Sequence, residues 1–133
     1  MTKFDIKNKN FLIFGANGLL GRKLTAELLS HGAKIHAADI EFGEDEIFEH
    51  KNLKTFKVNI NNSTQVESLL KIDVEFDGAI NCTYPRNNNY GRSFFDVTVE
   101  DFNENVAMNL GGAFLFSRCC ANYFTKNKKP FSL

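Results

Sequence analysis

Cysteine is scarce in this sequence: three residues, Cys82, Cys119 and Cys120, with no Cys-x-x-Cys among them. An odd number with one adjacent pair supports neither a disulfide framework nor a zinc site. It points instead to a reducing, cytoplasmic compartment. Net charge is also missing, because 16 Lys and Arg balance 16 Asp and Glu. Binding a phosphate backbone needs a basic excess, so no nucleic-acid partner is expected. No apolar run approaches the roughly 20 residues of a membrane span. The polar first ten residues lead into only a short apolar stretch, so no secretory signal is visible. There are no repeats and no low-complexity linkers. What remains is 133 residues that are 43% hydrophobic and 24% charged, enough for one globular domain with a core.

The order of elements is legible from periodicity. Phe11-Leu12-Ile13-Phe14 is a continuous apolar run stopped by Gly15, the pattern of a strand buried on both faces. Leu19, Leu20, Leu24, Leu28 and Leu29 then fall at helical spacing, and Ser30-His31-Gly32 supplies a glycine stop. Lys34–Asp39, Lys54–Asn59 and Asp77–Cys82 read as further strands. Ile40 to Asn52 reads as an acidic loop with a short helical turn, its Glu41–Glu49 run a solvated face. Ser63 or Thr64 is expected to cap a helix carrying Val66, Leu69 and Leu70. A polar loop from Thr83 to about Thr98 precedes Thr98-Val-Glu-Asp101, a capping-box pattern. That box opens the longest helix, with Phe102, Val106, Leu110, Ala113, Ser117, Cys120 and Phe124 expected along one buried stripe. Phe94, Phe95 and Phe102 are expected to anchor it. Gly111 and Gly112 inside it point to close approach by a neighbour or to a kink. The alternation predicts an α/β fold, a Rossmann-like parallel sheet with helices on both faces. Four strands in the order 3-2-1-4 fit the first half of a doubly wound sheet.

The chemistry is concentrated at one corner. Gly15-Ala16-Asn17-Gly18-Leu19-Leu20-Gly21 is a GxxGxxG between a strand and a helix, the context that distinguishes a dinucleotide fingerprint from chance glycines. Gly15 permits the sharp turn, Gly18 lets a diphosphate approach the backbone, and Gly21 lets helix and strand pack closely. The helix start offers free N–H groups and a positive dipole end. A tight turn without a ligand is the alternative. Asp39 weighs against that alternative. At the end of the second strand, eighteen residues past Gly21, a carboxylate accepts hydrogen bonds from both hydroxyls of an adenosine ribose. It repels a 2′-phosphate, which favours NAD over NADP. Arg22 and Lys23 keep NADP open as the lesser choice, and a solvated strand end is the other reading of Asp39.

These residues resemble the short-chain dehydrogenase/reductase family along essentially the whole chain. Asn59 stands where that family usually has an Asp beside the adenine. Asn81-Cys82-Thr83 is similar to its Asn-Asn-Ala-Gly segment after the fourth strand. Asn105-Val-Ala-Met-Asn109-Leu-Gly-Gly-Ala-Phe114 resembles its long-helix motif, whose second Asn belongs to a catalytic tetrad. The resemblance implies NAD as cofactor, held by Gly15, Asn17, Gly18, Leu19, Leu20 and Gly21 at the diphosphate and Asp39 at the ribose. Asn59 and Ile60 would flank the adenine, and Asn81, Cys82 and Thr83 the nicotinamide side. It places Asn109 in the tetrad and implies hydride transfer to or from a carbonyl or hydroxyl carbon. Three-and-three glycine spacing is similar to the branch that handles sugars and sugar nucleotides, whereas the long-helix motif is similar to the compact branch. Phe14 stands where a Thr is usual.

The family's Ser and Tyr-x-x-x-Lys are absent from these 133 residues. Tyr84 and Tyr90 have no Lys four residues on. Tyr123 and Lys126 lie well beyond Asn109, Tyr123 by about 21 Å at 1.5 Å per helical residue, so Tyr123 reads as a helix-end residue. The chain is expected to be the cofactor half of the oxidoreductase, incomplete at its C-terminus and inert alone. An edge strand and an apolar helix stripe point to a homodimer or higher oligomer. The rival readings are a non-catalytic nucleotide-binding module and a scaffold with a partner on its edge. His31, His36 and His50 lack ligand spacing, and no metal is expected. His31 supports a helix C-terminus, and the three cysteines read as packing residues.

Overall fold

In the computed structural model, residues 5–43 and 49–127 are described. Most of the acidic run and the basic tail lie outside them. Strand β1 (Asn10–Phe14) leads through the glycine corner to helix α1 (Leu19–Ser30), and then comes strand β2 (Lys34–Asp39). Strand β3 (Leu53–Lys57), helix α2 (Ser63–Leu69) and strand β4 (Gly78–Asn81) come next. The strands form one parallel sheet in the order β3-β2-β1-β4, as the alternation predicts. β3 stops at Lys57, so Asn59 sits two residues beyond the strand rather than within it.

Both faces of the sheet are covered. Leu12, Phe14, Ala38, Val66, Phe76, Phe116, Cys120 and Phe124 form one cluster. Ile13, Ala33, Ile35 and Ala37 form the other, with Leu24, Leu28 and Leu29 of α1 packed on it. This explains the continuous apolar run of β1: Leu12 and Phe14 face one cluster and Ile13 the other, and all three are buried. Gly32 ends α1 at φ +80°, and His31 Nδ1 lies 2.9 Å from the Glu27 carbonyl oxygen. The α2 cap differs from expectation. Asn62 is the N-cap, and its Oδ1 accepts from the Gln65 N–H at 3.1 Å. Asn, Ser and Thr all cap well, and composition alone does not rank adjacent candidates.

The long helix departs most from its sequence pattern. Helix α3 (Val99–Val106) and helix α4 (Gly112–Lys126) are joined by a π-helical segment, Ala107–Gly111. A π segment holds an extra residue and rotates the next helix by about 100°. The buried line in α4 is therefore Gly112, Phe116, Cys120 and Phe124, not a stripe through Ala113 and Ser117. In α3 the inward residues are polar, Asp101 and Asn105, while Phe102 and Val106, with Leu110 of the π segment, are exposed. Phe94 and Phe95 form a single 3₁₀ turn with Asp96, are 86% and 92% exposed, and join neither core cluster of the described residues. Thr98 caps α3, accepting from the Asp101 N–H at 3.1 Å. Gly112 is a close approach, since a Cβ there would stand 3.3 Å from Ile60 Cγ2, whereas Gly111 faces open space. Tyr123 OH accepts from the Phe76 N–H at 2.9 Å, fastening α4 to the segment before β4.

Candidate functional site

The carboxyl ends of β1, β2 and β4 open into a cleft of about 920 Å³. This is where an open parallel sheet places a ligand, because strands on either side of β1 lead away in opposite directions. The corner above β1 is shaped by close contact. Gly15 has φ +73°, and a Cβ on it would lie 2.6 Å from the Cys82 carbonyl carbon and the Thr83 nitrogen. A Cβ on Gly21 would lie 2.0 Å from the Gly15 oxygen. Both positions are thus closed to any side chain by backbone alone. Gly18 is different: it is exposed, and a Cβ there meets only the Gly15 oxygen, at 3.3 Å. No side chain caps α1, so its positive end opens beside exposed Leu19 and Leu20.

Asp39 is tied to this corner. Its Oδ2 accepts from the Asn17 N–H at 2.8 Å, and its Oδ1 accepts from the Ile40 N–H at 2.7 Å. Asn17 is stitched in turn. Its Nδ2 donates to the Glu41 carbonyl at 2.9 Å, and its Oδ1 accepts from Arg22 Nη2 at 2.9 Å. Arg22 is therefore engaged with the loop itself. A carboxylate has about four lone-pair positions, so two remain on Asp39 for a ligand.

Beyond β3, Val58, Asn59, Ile60 and Asn61 line the cleft. The Asn59 N–H donates to Gln65 Oε1 at 2.7 Å, and Asn59 Oδ1 accepts from the Asn61 N–H at 2.9 Å. Beyond β4, Asn81 Oδ1 accepts from both the N–H and the hydroxyl of Thr83, at 2.9 and 2.7 Å. Cys82 and Thr83 line the cleft, and burial pushes the Cys82 thiol pKa up. Tyr84, Pro85 and Arg86 continue that wall, with Met108 and Glu104 from the long helix behind them.

The geometry gathers Gly15, Asn17, Gly18, Leu19, Leu20, Asp39, Asn59, Ile60, Cys82 and Thr83 around one cleft. Gly21, Asn81 and Asn109 do not line it, although Asn81 and Asn109 hydrogen-bond to lining residues Thr83 and Pro85. Asn109 lies in the π segment, and its Nδ2 donates to the Pro85 carbonyl at 2.7 Å and to the Asn105 carbonyl at 2.9 Å. Sequence reasoning missed Pro85, Arg86, Glu104 and Met108. The first two were within reach, since the chain leaving β4 runs past the switch point. Met108 and Glu104 enter only through the phase change in the long helix. Among the described residues, no three His, Cys, Asp or Glu side chains gather as for a metal ion, and no helix is long and apolar enough to cross a membrane.

Residues 11–123 match the family model described as the NAD dependent epimerase/dehydratase family. The chain belongs to that family. The structure is similar to a short chain dehydrogenase from Leptospira borgpetersenii serovar Hardjo-bovis solved with bound NAD+: 25% identity, 97% of this chain and 52% of that one, TM-score 0.82. It is also similar in fold to a short chain dehydrogenase from Bacillus anthracis (17% identity, 93% and 53% covered, TM-score 0.77). An epimerase from Methanothermobacter thermautotrophicus shares the fold at 20% identity, with 86% and 32% covered and a TM-score of 0.68. The chain spans about half the length of the two short chain dehydrogenases. Comparison with curated proteins gave no match.

Proposed function

We propose that the chain is the cofactor-binding half of an NAD-dependent short-chain oxidoreductase, moving hydride to or from a carbonyl or hydroxyl carbon of a small molecule. A sugar or nucleotide sugar is the substrate class favoured by the three-and-three glycine spacing. The observation that carries the reading is the junction of Asp39 with the Gly15–Gly21 corner, on one cleft, through the Asn17 N–H. The residues present fit NAD: exposed Gly18, an uncapped helix start and a carboxylate with lone pairs to spare line one cleft.

When bound, NAD supplies the nicotinamide that takes or gives the hydride. The chain binds and orients it. Gly18 and the N–H groups of Leu19 and Leu20 hold the diphosphate. Asp39 takes the adenosine ribose hydroxyls and repels a 2′-phosphate, so NADP binds less well. Asn59 and Ile60 flank the adenine, and Cys82 and Thr83 flank the nicotinamide ribose, steadied by Asn81. Asn109 is a positioning residue here, acting through Pro85. With no Tyr-x-x-x-Lys in residues 1–133, the chain alone binds without turnover. The exposed row Phe102, Val106, Leu110 and Phe114 supports self-association. The missing Tyr-x-x-x-Lys also favours a second reading, a non-catalytic nucleotide-binding module.

Calorimetric titration with NAD+ and NADP+, beside a nicotinamide-absorbance assay over alcohols, sugars and ketones, tests the reading. Tighter binding of NAD+ with no turnover is expected. Failure to bind NAD+ contradicts both readings, and robust turnover contradicts the assignment of an inert half.

A further inference from the structure

Arg86 is the one cation among the described residues lining the cleft, where Asp39, Glu41 and Glu104 are acidic. Its guanidinium lies over the Tyr90 ring, 5.6 Å from the centroid. Among the described residues no carboxylate comes within salt-bridge distance of it. Tyr90 is itself fixed, since its hydroxyl is 2.7 Å from that of Tyr84 and the two rings meet edge to face at 5.7 Å. The backbone on both sides of Arg86 is fastened to the long helix. The Pro85 carbonyl accepts from Asn109 Nδ2 at 2.7 Å, and the Asn87 N–H donates to Asn105 Oδ1 at 3.0 Å. Asn87 Nδ2 reaches Asp101 Oδ1 at 3.0 Å, and Asn89 Nδ2 reaches the same oxygen at 2.7 Å.

An exposed arginine on a mobile loop is ordinary surface. Arg86 is exposed too, but it lies over a tyrosine on a loop pinned at both neighbours, and among the described residues its fork is unpaired beside a cleft, which prepares it for an anion. A cation–π contact uses none of the guanidinium N–H donors, which leaves them for a planar or tetrahedral oxyanion. Position decides which anion. Asp39 ends β2, on one side of β1, whereas Arg86 lies past β4, on the other. A dinucleotide with its adenosine at Asp39 and its diphosphate over the Gly15–Gly21 corner reaches Arg86 only with its nicotinamide end.

We infer that Arg86, set on Tyr90, is the residue that selects a substrate carrying a carboxylate or phosphate, and binds that group beside the nicotinamide. The inference rests on the proposed cofactor site. The group it takes is an oxyanion of the substrate, and the cofactor's own diphosphate is the competing source.

The test uses the full chain with NADH, read by nicotinamide fluorescence, and compares wild type with Arg86→Gln and Arg86→Lys. Inorganic pyrophosphate and malonate are titrated into each NADH complex. The expected result is saturable binding of at least one probe to wild type, about tenfold weaker in Arg86→Gln. Arg86→Lys, which keeps the charge and loses the fork, should fall between. NADH affinity should stay within about twofold in all three. Equal probe binding by wild type and Arg86→Gln overturns the inference, as does wild type binding neither probe. A tenfold loss of NADH affinity in Arg86→Gln also overturns it and assigns the arginine to the cofactor diphosphate. Wild type that binds no NADH overturns the cofactor site itself, an outcome distinct from the others.

Discussion

Asp39 Oδ2 and the Asn17 N–H are 2.8 Å apart, which joins the end of the second strand to the middle of the glycine corner. The carboxylate serves the loop and the proposed ribose at once. Asp39→Ala should therefore lower NAD+ affinity by about tenfold to a hundredfold, the loss of one or two charge-assisted hydrogen bonds. It should also narrow the preference for NAD+ over NADP+. Calorimetry with both cofactors reads this directly, and unchanged affinity for both would remove Asp39 from the site.

Gly18 and Gly21 separate binding from folding. A Cβ on Gly21 runs into the Gly15 carbonyl and the Ala16 Cα, both backbone. Gly21→Ala is expected to cost about 1–3 kcal/mol or more, as overpacking does, seen as a lowered urea midpoint. A Cβ on Gly18 meets one atom at 3.3 Å. Gly18→Ala should keep nearly the wild-type midpoint and still weaken NAD+ binding. Equal stability losses at the two positions would contradict the division of roles.

Asn109 joins the loop after β4 to the π segment through the Pro85 carbonyl. Replacing it with Ala removes two donated hydrogen bonds and unfastens the Pro85 carbonyl from the helix. A loss of about 1–2 kcal/mol is expected, with faster amide exchange confined mainly to residues 82–90. Exchange that rises evenly across the chain would contradict a local strap.

His36 sets a pH dependence. It is buried between Phe56 and Phe76, with Lys54 adding to the effect, and its pKa is lowered from the usual 6.5. The folded chain keeps this ring neutral while the unfolded chain takes up a proton below about pH 6.5. The unfolded state then binds more protons, so the stability from the neutral ring is whole above that pH and declines as pH falls. Urea midpoints between pH 7.5 and 5.5 should drop less in His36→Leu than in wild type. Parallel slopes would contradict the assignment.

The sheet was legible because Leu12, Ile13 and Phe14 alternate between two covered faces, which leaves an unbroken apolar run. The glycine corner was legible because backbone contacts at Gly15 and Gly21 exclude every other residue. The long helix misled for a physical reason. Phe102, Val106 and Leu110 make a regular apolar stripe, yet they face outward, and Asp101 and Asn105 face inward. Those polar side chains pair with Asn87 and Asn89, in a loop well before them in the sequence. Periodicity reports which face is apolar, and cannot report that a polar loop has been drawn under a polar face. The π segment then shifts the phase at Asn109, so Gly112 and Phe116 take the buried line. Arg86 escaped notice for the same reason, since its neighbours are held by contacts that only the folded chain brings together.

Residue-resolved NMR of the full chain titrated with NAD+ tests the central claim most directly. The amides of Asn17, Gly18, Leu19 and Leu20 should shift together with those of Asp39 and Ile40, saturating at one cofactor per chain. Shifts that spare this corner and appear elsewhere, or no saturable shifts at all, would contradict it.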